Sequence, residues 1–188
     1  MSASPDVLLA LFDLDPEQAK RLILEQWSEV HAPVGPWGGT LLDFLTIEGC
    51  EAGVEFLLER GVPPDTVDRY GCTPLHNAVA AGCSLTIVKR LLRAGADPRH
   101  RAKDGRTVLT RAIERGAASE IAVALLRHGA NPSDEHPLDP SGRLVHLAAE
   151  RSDREMVELL VQYGADPHAR DGSGRTAAEV LASSGDTC

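Results

Sequence analysis

An internal repeat constrains this chain more than any other feature of its sequence. Leu91-Leu92-Arg93-Ala94-Gly95-Ala96-Asp97-Pro98 returns as the segment from Leu125 to Pro132, as a version one residue longer from Leu159 to Pro167, and more loosely from Leu57 to Pro64. The glycines anchoring these copies, Gly61, Gly95, Gly129 and Gly164, are 34, 34 and 35 residues apart. A second motif keeps step with the first: GGTLLDFL from Gly38, GCTPLHNAV from Gly71, GRTVLTRAI from Gly105, GRLVHLAAE from Gly142 and GRTAAEVLA from Gly174. A period of this length means one supersecondary unit used again and again. No single unit can cover its own apolar face, so the units must stack.

The chemistry of one unit predicts its shape. Thr40, Thr73, Thr107 and Thr176 stand where a hydroxyl caps a helix N-terminus, and Pro74 sits at a first helical position, where its missing N–H costs nothing. Ala78, Ala112, Ala148 and Ala149 keep this first helix thin. Apolar residues at helical spacing, as in Val54, Leu57 and Leu58 or Met156, Val157, Leu159 and Leu160, predict a second helix that stops at the anchoring glycine. Composition agrees: 43% of residues are hydrophobic but only 4% aromatic, so small aliphatic side chains must fill the interior.

A unit that opens one helix on Thr-Pro-Leu-His (73 to 76) and closes a second on Gly-Ala resembles the ankyrin repeat, and the resemblance covers almost the whole chain. It implies an all-α solenoid of stacked helix-turn-helix units with capping ends, as a single domain over 1–188. Within it, 1–35 reads as a degenerate N-terminal capping repeat, 36–67, 68–101, 102–138 and 139–170 as repeats, and 171–188 as a C-terminal half repeat. Three departures stand out. The repeats at 68 and 102 carry one extra residue before the second helix, around CSLTI and AASEI, where a bulge is expected. The repeat at 142 lacks one residue near Leu144, and the loop before it, NPSDEHPLDPSG, is longer than its equivalents.

The histidines of the repeat are candidates for chemistry or for architecture. His76 and His146 share a repeat position, and the resemblance implies a structural role in which the imidazole bonds to neighbouring loop backbone. Seven histidines and four cysteines lack the spacing of a metal site, with no HExxH and no paired CxxC. Asp134, Glu135 and Asp139 form a loop cluster that reads as a weak cation site or, more simply, as a solvated loop. No GxSxG and no phosphate-binding glycine loop occurs, so the expectation is a non-catalytic protein with no cofactor and no metal.

Apolar runs such as VLLALF and IAVALL are far shorter than the roughly 20 residues that span a bilayer, so no membrane helix is expected. The N-terminus lacks the basic residues of a secretory signal, and Cys50, Cys72, Cys83 and Cys188 read as reduced thiols of a cytoplasmic protein. Export by a route without a cleavable signal stays open. The net charge is −9, and residues 1–67 account for it, with three bases against twelve acids. That acidic third disfavours nucleic acid and suits a partner with a basic patch, or serves solubility alone.

Binding remains. The resemblance implies contacts through loop tips and the exposed side of the first helices, a concave face. The residues just before the loop glycines are Trp37, Tyr70, Asp104, Ser141 and Ser173, which puts two of the rare aromatics on adjacent fingers. They read as anchors for another protein, or Trp37 covers the edge of the N-terminal cap. Asp43 and Glu48 supply an acidic stretch, while Arg69, Lys103, Arg106, Arg111, Arg115, Glu150 and Arg151 continue the surface. Arg outnumbers Lys 16 to 3, which points to a GC-rich and bacterial gene. The role expected is therefore inhibition or scaffolding of a partner, with a toxin-neutralising immunity protein first. A bacterial effector binding a host protein and a small hydrolase with an unrecognised site are the alternatives. Oligomeric state is open.

Overall fold

The computed structural model describes Gln18, Arg21 and residues 37–137 and 139–185. The expected N-terminal capping repeat, apart from Gln18 and Arg21, lies outside the described residues. The chain divides into two compact units, Met1–Lys103 and Asp104–Cys188. In the first, helices α1 (Leu41–Ile47) and α2 (Glu51–Glu59) form one pair, and α3 (Pro74–Ala81) and α4 (Leu85–Arg93) a second. α1 packs on α3, and α2 on α4. In the second unit, α5 (Val108–Arg115) and α6 (Ser119–Arg127) precede strands β1 (Glu135–His136) and β2 (Asp139–Arg143), followed by α7 (Leu144–Glu150), α8 (Arg154–Gln162) and α9 (Ala177–Gly185). There α7 packs between α5 and α9, and α8 lies on α6. Each unit is the all-α stacking that the repeat predicts.

Where the helices begin is set by the predicted threonines. Thr40 and Thr107 accept from the backbone N–H groups of Asp43 and Thr110, at 3.5 and 3.3 Å, and Thr176 accepts from Glu179 at 3.3 Å. Counting nine residues from each N-cap reaches a left-handed residue in all four helix pairs: Gly49, Gly82, Gly116 and Ser152, with φ of 75°, 70°, 63° and 58°. The first helices therefore occupy matching lengths of chain. The extra residue lies in the turn that follows: Cys50 or Asp153 alone precedes α2 and α8, whereas Cys83-Ser84 and Ala117-Ala118 precede α4 and α6. All four second helices then run nine residues. The insertion is absorbed in the turn and the helix register is untouched.

The cores are aliphatic. Leu42, Leu57, Leu75, Ile87 and Leu91 are wholly buried in the first unit, and Leu109, Leu125, Leu144 and Leu160 in the second. Ala78, Ala112, Ala148 and Ala149 are also at 0% exposure, so the thin first helices lie against their neighbours with no room for a larger side chain. The long loop becomes a short antiparallel hairpin, with Glu135 opposite Arg143 and His136 opposite Asp139 and an irregularity between the two pairs. The missing residue moves Arg143 into the capping place that threonine holds elsewhere.

Candidate protein-binding surface

The histidines resolve as architecture. His76 is fully buried, and its Nδ1 lies 2.9 Å from Thr73 Oγ1 and accepts from Thr73 N at 3.4 Å. His146 Nδ1 accepts from Arg143 N at 3.2 Å, which leaves Nε2 as the protonated nitrogen that donates to Ala169 O at 3.1 Å. That second bond reaches neighbouring loop backbone, as the resemblance implied. Both rings are buried, His76 at 0% and His146 at 2% exposure, so neither faces solvent.

In the first unit the finger at Asp68 to Cys72 is held closed by one carboxylate. Asp68 Oδ1 accepts from Tyr70 N at 2.8 Å and Cys72 N at 2.9 Å, while Gly71 N donates to Asp68 O at 3.0 Å. Successive fingers are laced by backbone: Arg69 N donates to Trp37 O at 3.0 Å and Lys103 N to Tyr70 O at 2.9 Å. His100 Nε2 adds a donor to Gly71 O at 3.0 Å and stands edge-on to His76, ring centres 5.7 Å apart. Gly71, at φ 72°, is also where the fingers touch most closely, since a Cβ there would lie 3.0 Å from Lys103 N. On this fixed frame Tyr70 is 58% exposed, and Val67 beside it is exposed too.

The other expected contacts divide into three kinds. Arg69, Lys103 and Glu48 are exposed on the first unit, and Arg115, Glu150 and Arg151 on the second. Arg151 lies beside the C-terminus of α5, since a Cβ on Gly116 would be 3.6 Å from its Nη2, a favourable place for a cation. Trp37 is only half-exposed, because its ring lies across Gly39, where an added Cβ would meet the indole at 1.5 Å. The indole thus covers its own turn.

Asp43 is a correction. It belongs to no acidic face, being at 0% exposure. Its Oδ2 accepts from Thr40 N at 2.8 Å and Thr40 Oγ1 at 2.9 Å, and its Oδ1 from Asn77 Nδ2 at 3.0 Å. Burial pushes its carboxyl above the ordinary value, against the bonds from Thr40 and Asn77 that favour the ion.

Arg106 and Arg111 are half-buried in a network of the second unit. Arg106 Nε donates to Glu114 at 2.8 Å and its Nη1 to Asp104 at 3.2 Å, while Arg111 Nη2 reaches the same Asp104 oxygen at 3.1 Å. Burial resists ionisation of Asp104, but the Arg106 N–H and the two guanidinium groups outweigh it and hold the carboxyl below its usual value. The Glu114 bond in turn raises Arg106. These two arginines present a shaped, internally paired patch rather than loose positive charge.

Sequence reading overlooked Asp68 as the residue that shapes the Tyr70 finger. The signal was present: Asp171, also three residues before a loop glycine, accepts from Ser173 N at 2.9 Å and Arg175 N at 2.8 Å in the same way. Among the described residues no His, Cys, Asp and Glu group is placed to hold a metal ion, and no helix is long and apolar enough to cross a membrane.

Comparison with known proteins agrees with this architecture. A family model described as ankyrin repeats (3 copies) matches residues 79–171, and one described as ankyrin repeats (many copies) matches residues 42–92. Among solved structures, the ankyrin repeat domain of Bcl-3, described as a unique member of the IkappaB protein family, superposes with a TM-score of 0.82 at 24% identity, covering 98% of this chain and 82% of that one. Likeness at that identity is one of fold. No curated protein matches the chain.

Proposed function

The chain belongs to the ankyrin-repeat family, whose repeats serve as protein–protein interaction modules, and we propose that it binds its partner through the finger that carries Tyr70. The carrying observation is an exposed aromatic on a rigid tip. Tyr70 is 58% exposed while its own N–H and C=O are both hydrogen-bonded, so little backbone entropy is lost when a partner closes over the ring. Arg69 and Lys103 flank it with positive charge, and Trp37 supports the finger next to it. The second unit offers its own contacts in the Asp104–Arg106–Arg111–Glu114 patch together with Arg115, Glu150 and Arg151.

The role we infer is inhibition or scaffolding by occupation. The buried Asp43, His76 and His146 are each engaged in starting a helix. The acidic excess of residues 1–67 suits a partner with a basic cleft, as a toxin-neutralising immunity protein would meet. Cys50, Cys72 and Cys83 are not joined in a disulfide, in keeping with a reducing compartment.

The test is affinity capture from the native source with three baits: wild type, Tyr70→Ala, and Glu120→Ala, an exposed change on α6. A stoichiometric partner retained by wild type and Glu120→Ala and lost by Tyr70→Ala supports the reading. Equal retention by all three removes Tyr70 from the site. Purified partner then separates inhibitor from scaffold, according to whether its activity falls on binding.

A further inference from the structure

Away from the fingers, the first unit carries a groove of about 470 Å³ between the second helices α2 and α4. Its apolar surface comes from Leu58 and Leu85, both half-buried. The walls have opposite charge. Glu55 and Glu59 stand on α2, and Lys89 and Arg93 on α4, at the fifth and ninth positions of two helices that match residue for residue. Each acid is thus 34 residues from the base at its own height. Among the described residues, α6 and α8 do not repeat the pattern: the same positions are Val123 and Arg127 in α6, and Glu158 and Gln162 in α8. Inside the groove one ion pair, Glu55 with Arg90, is already made. Glu59, Lys89 and Arg93 remain exposed to solvent.

We propose that this groove binds a second copy of the same chain, forming a two-fold dimer. An acidic wall beside a basic wall at equal heights is complementary to itself. A two-fold axis lying in the interface and parallel to the groove places α2 of one copy over α4 of the other. Glu59 then meets the partner's Arg93, and the partner's Glu59 meets Arg93, so the pairing forms twice in one interface. The same axis sets Glu55 at the height of the partner's Lys89, a further pairing of opposite charge that also forms twice. An axis across the groove instead sets acid on acid and base on base, so charge also selects one arrangement. The chain's net charge of −9 is a background repulsion that these local pairs must overcome. Trp37, Arg69 and Tyr70 do not line the groove, so its fate is independent of the finger reading.

Sedimentation equilibrium on the full chain tests this. The wild-type mass is expected to rise from 20.1 kDa toward twice that value with concentration. Glu59→Lys alone and Arg93→Glu alone should each weaken self-association at least about tenfold, since each places like charges opposite one another. An equimolar mixture of the two single variants should form a heterodimer that neither forms by itself, and the double variant E59K/R93E should dimerise again. Both side chains are exposed, and circular dichroism checks that every variant keeps its helices. A wild type that stays at 20.1 kDa at all concentrations overturns the proposal and leaves the groove to some other occupant. So does a mixture that fails to associate, or single variants that dimerise as tightly as wild type.

Discussion

Asp43 and Glu179 hold the same place in their repeats, three residues after a capping threonine, and their carboxyls respond in opposite ways. Each accepts the backbone N–H of its threonine, at 2.8 Å in the first case and 2.7 Å in the second. Glu179 is exposed, and the Thr176 backbone bond, its largest influence, draws its carboxyl below the ordinary value. Asp43 has the next repeat packed over it through Asn77, and burial dominates and pushes its carboxyl up. One local motif thus becomes a solvated cap or a buried polar junction according to whether a neighbour covers it.

The largest expected effect breaks the junction. Asp43→Ala leaves Thr40 N, Thr40 Oγ1 and Asn77 Nδ2 without their acceptor, the first two in a buried place, and should cost about 3 kcal/mol in urea unfolding. Glu179→Ala, where water replaces the lost acceptor, should move the same midpoint far less. Equal losses from the two changes would show that burial is not the difference between them.

His146 occupies the same repeat position with a third chemistry, an imidazole whose two nitrogens bond Arg143 N and Ala169 O. His146→Leu keeps the volume but leaves both of those groups unpaired, and about 2 kcal/mol of stability should be lost. His146→Asn, which retains one donor and one acceptor, should recover part of it. A leucine variant as stable as wild type would mean that packing alone holds this helix start.

Much of this was legible beforehand, and the rest fails for one reason. Thr40, Thr107 and Thr176 announced their helices, and the extra residue near Cys83 and Ala117 was placed correctly, because caps, glycines and spacing are local properties of the chain. The structural role of His146 was legible through the family resemblance. Asp43 was misread as surface because an acid inside LLDFL looks solvated until Asn77, 34 residues on, is seen to cover it. Trp37 was equally opaque, since nothing in WGGT says that the ring folds over Gly39. The Arg106–Glu114 pair joins a finger to a helix eight residues away, outside the helical spacings that charge patterning reads.

The contrast between the two carboxyls also fixes a pH signature with opposite signs. Folded Asp43 binds its proton more tightly than the ordinary 3.8 allows, so its stabilising contribution is present below that value and is lost as pH rises through the raised folded value. Folded Glu179 binds its proton more weakly than the ordinary 4.5, so its contribution is present above that value and is lost as pH falls through the lowered folded value. Denaturant midpoints between about pH 3 and 7 should therefore change shape in opposite directions in Asp43→Asn and Glu179→Gln, each compared with wild type. Difference curves of the same sign would sink the assignment.

The smallest effect concerns equivalence six residues further along each repeat. Gly49, Gly82 and Gly116 turn the chain with positive φ after the first helix, and Ser152 does the same at φ 58° with a Cβ that disfavours it. Ser152 N–H donates to Ala149 O at 2.9 Å, so the turn is made in spite of the residue, not because its side chain demands another conformation. Ser152→Gly should raise stability by about 0.5 kcal/mol, the relief of backbone strain being partly offset by the greater freedom of glycine in the unfolded chain. Ser152→Val, which cannot adopt this conformation without strain, should lower it by more than that. If the glycine variant is instead less stable, the fourth turn differs in kind from the other three, and equivalence of repeat positions would hold for the helix starts but not for the turns that close them.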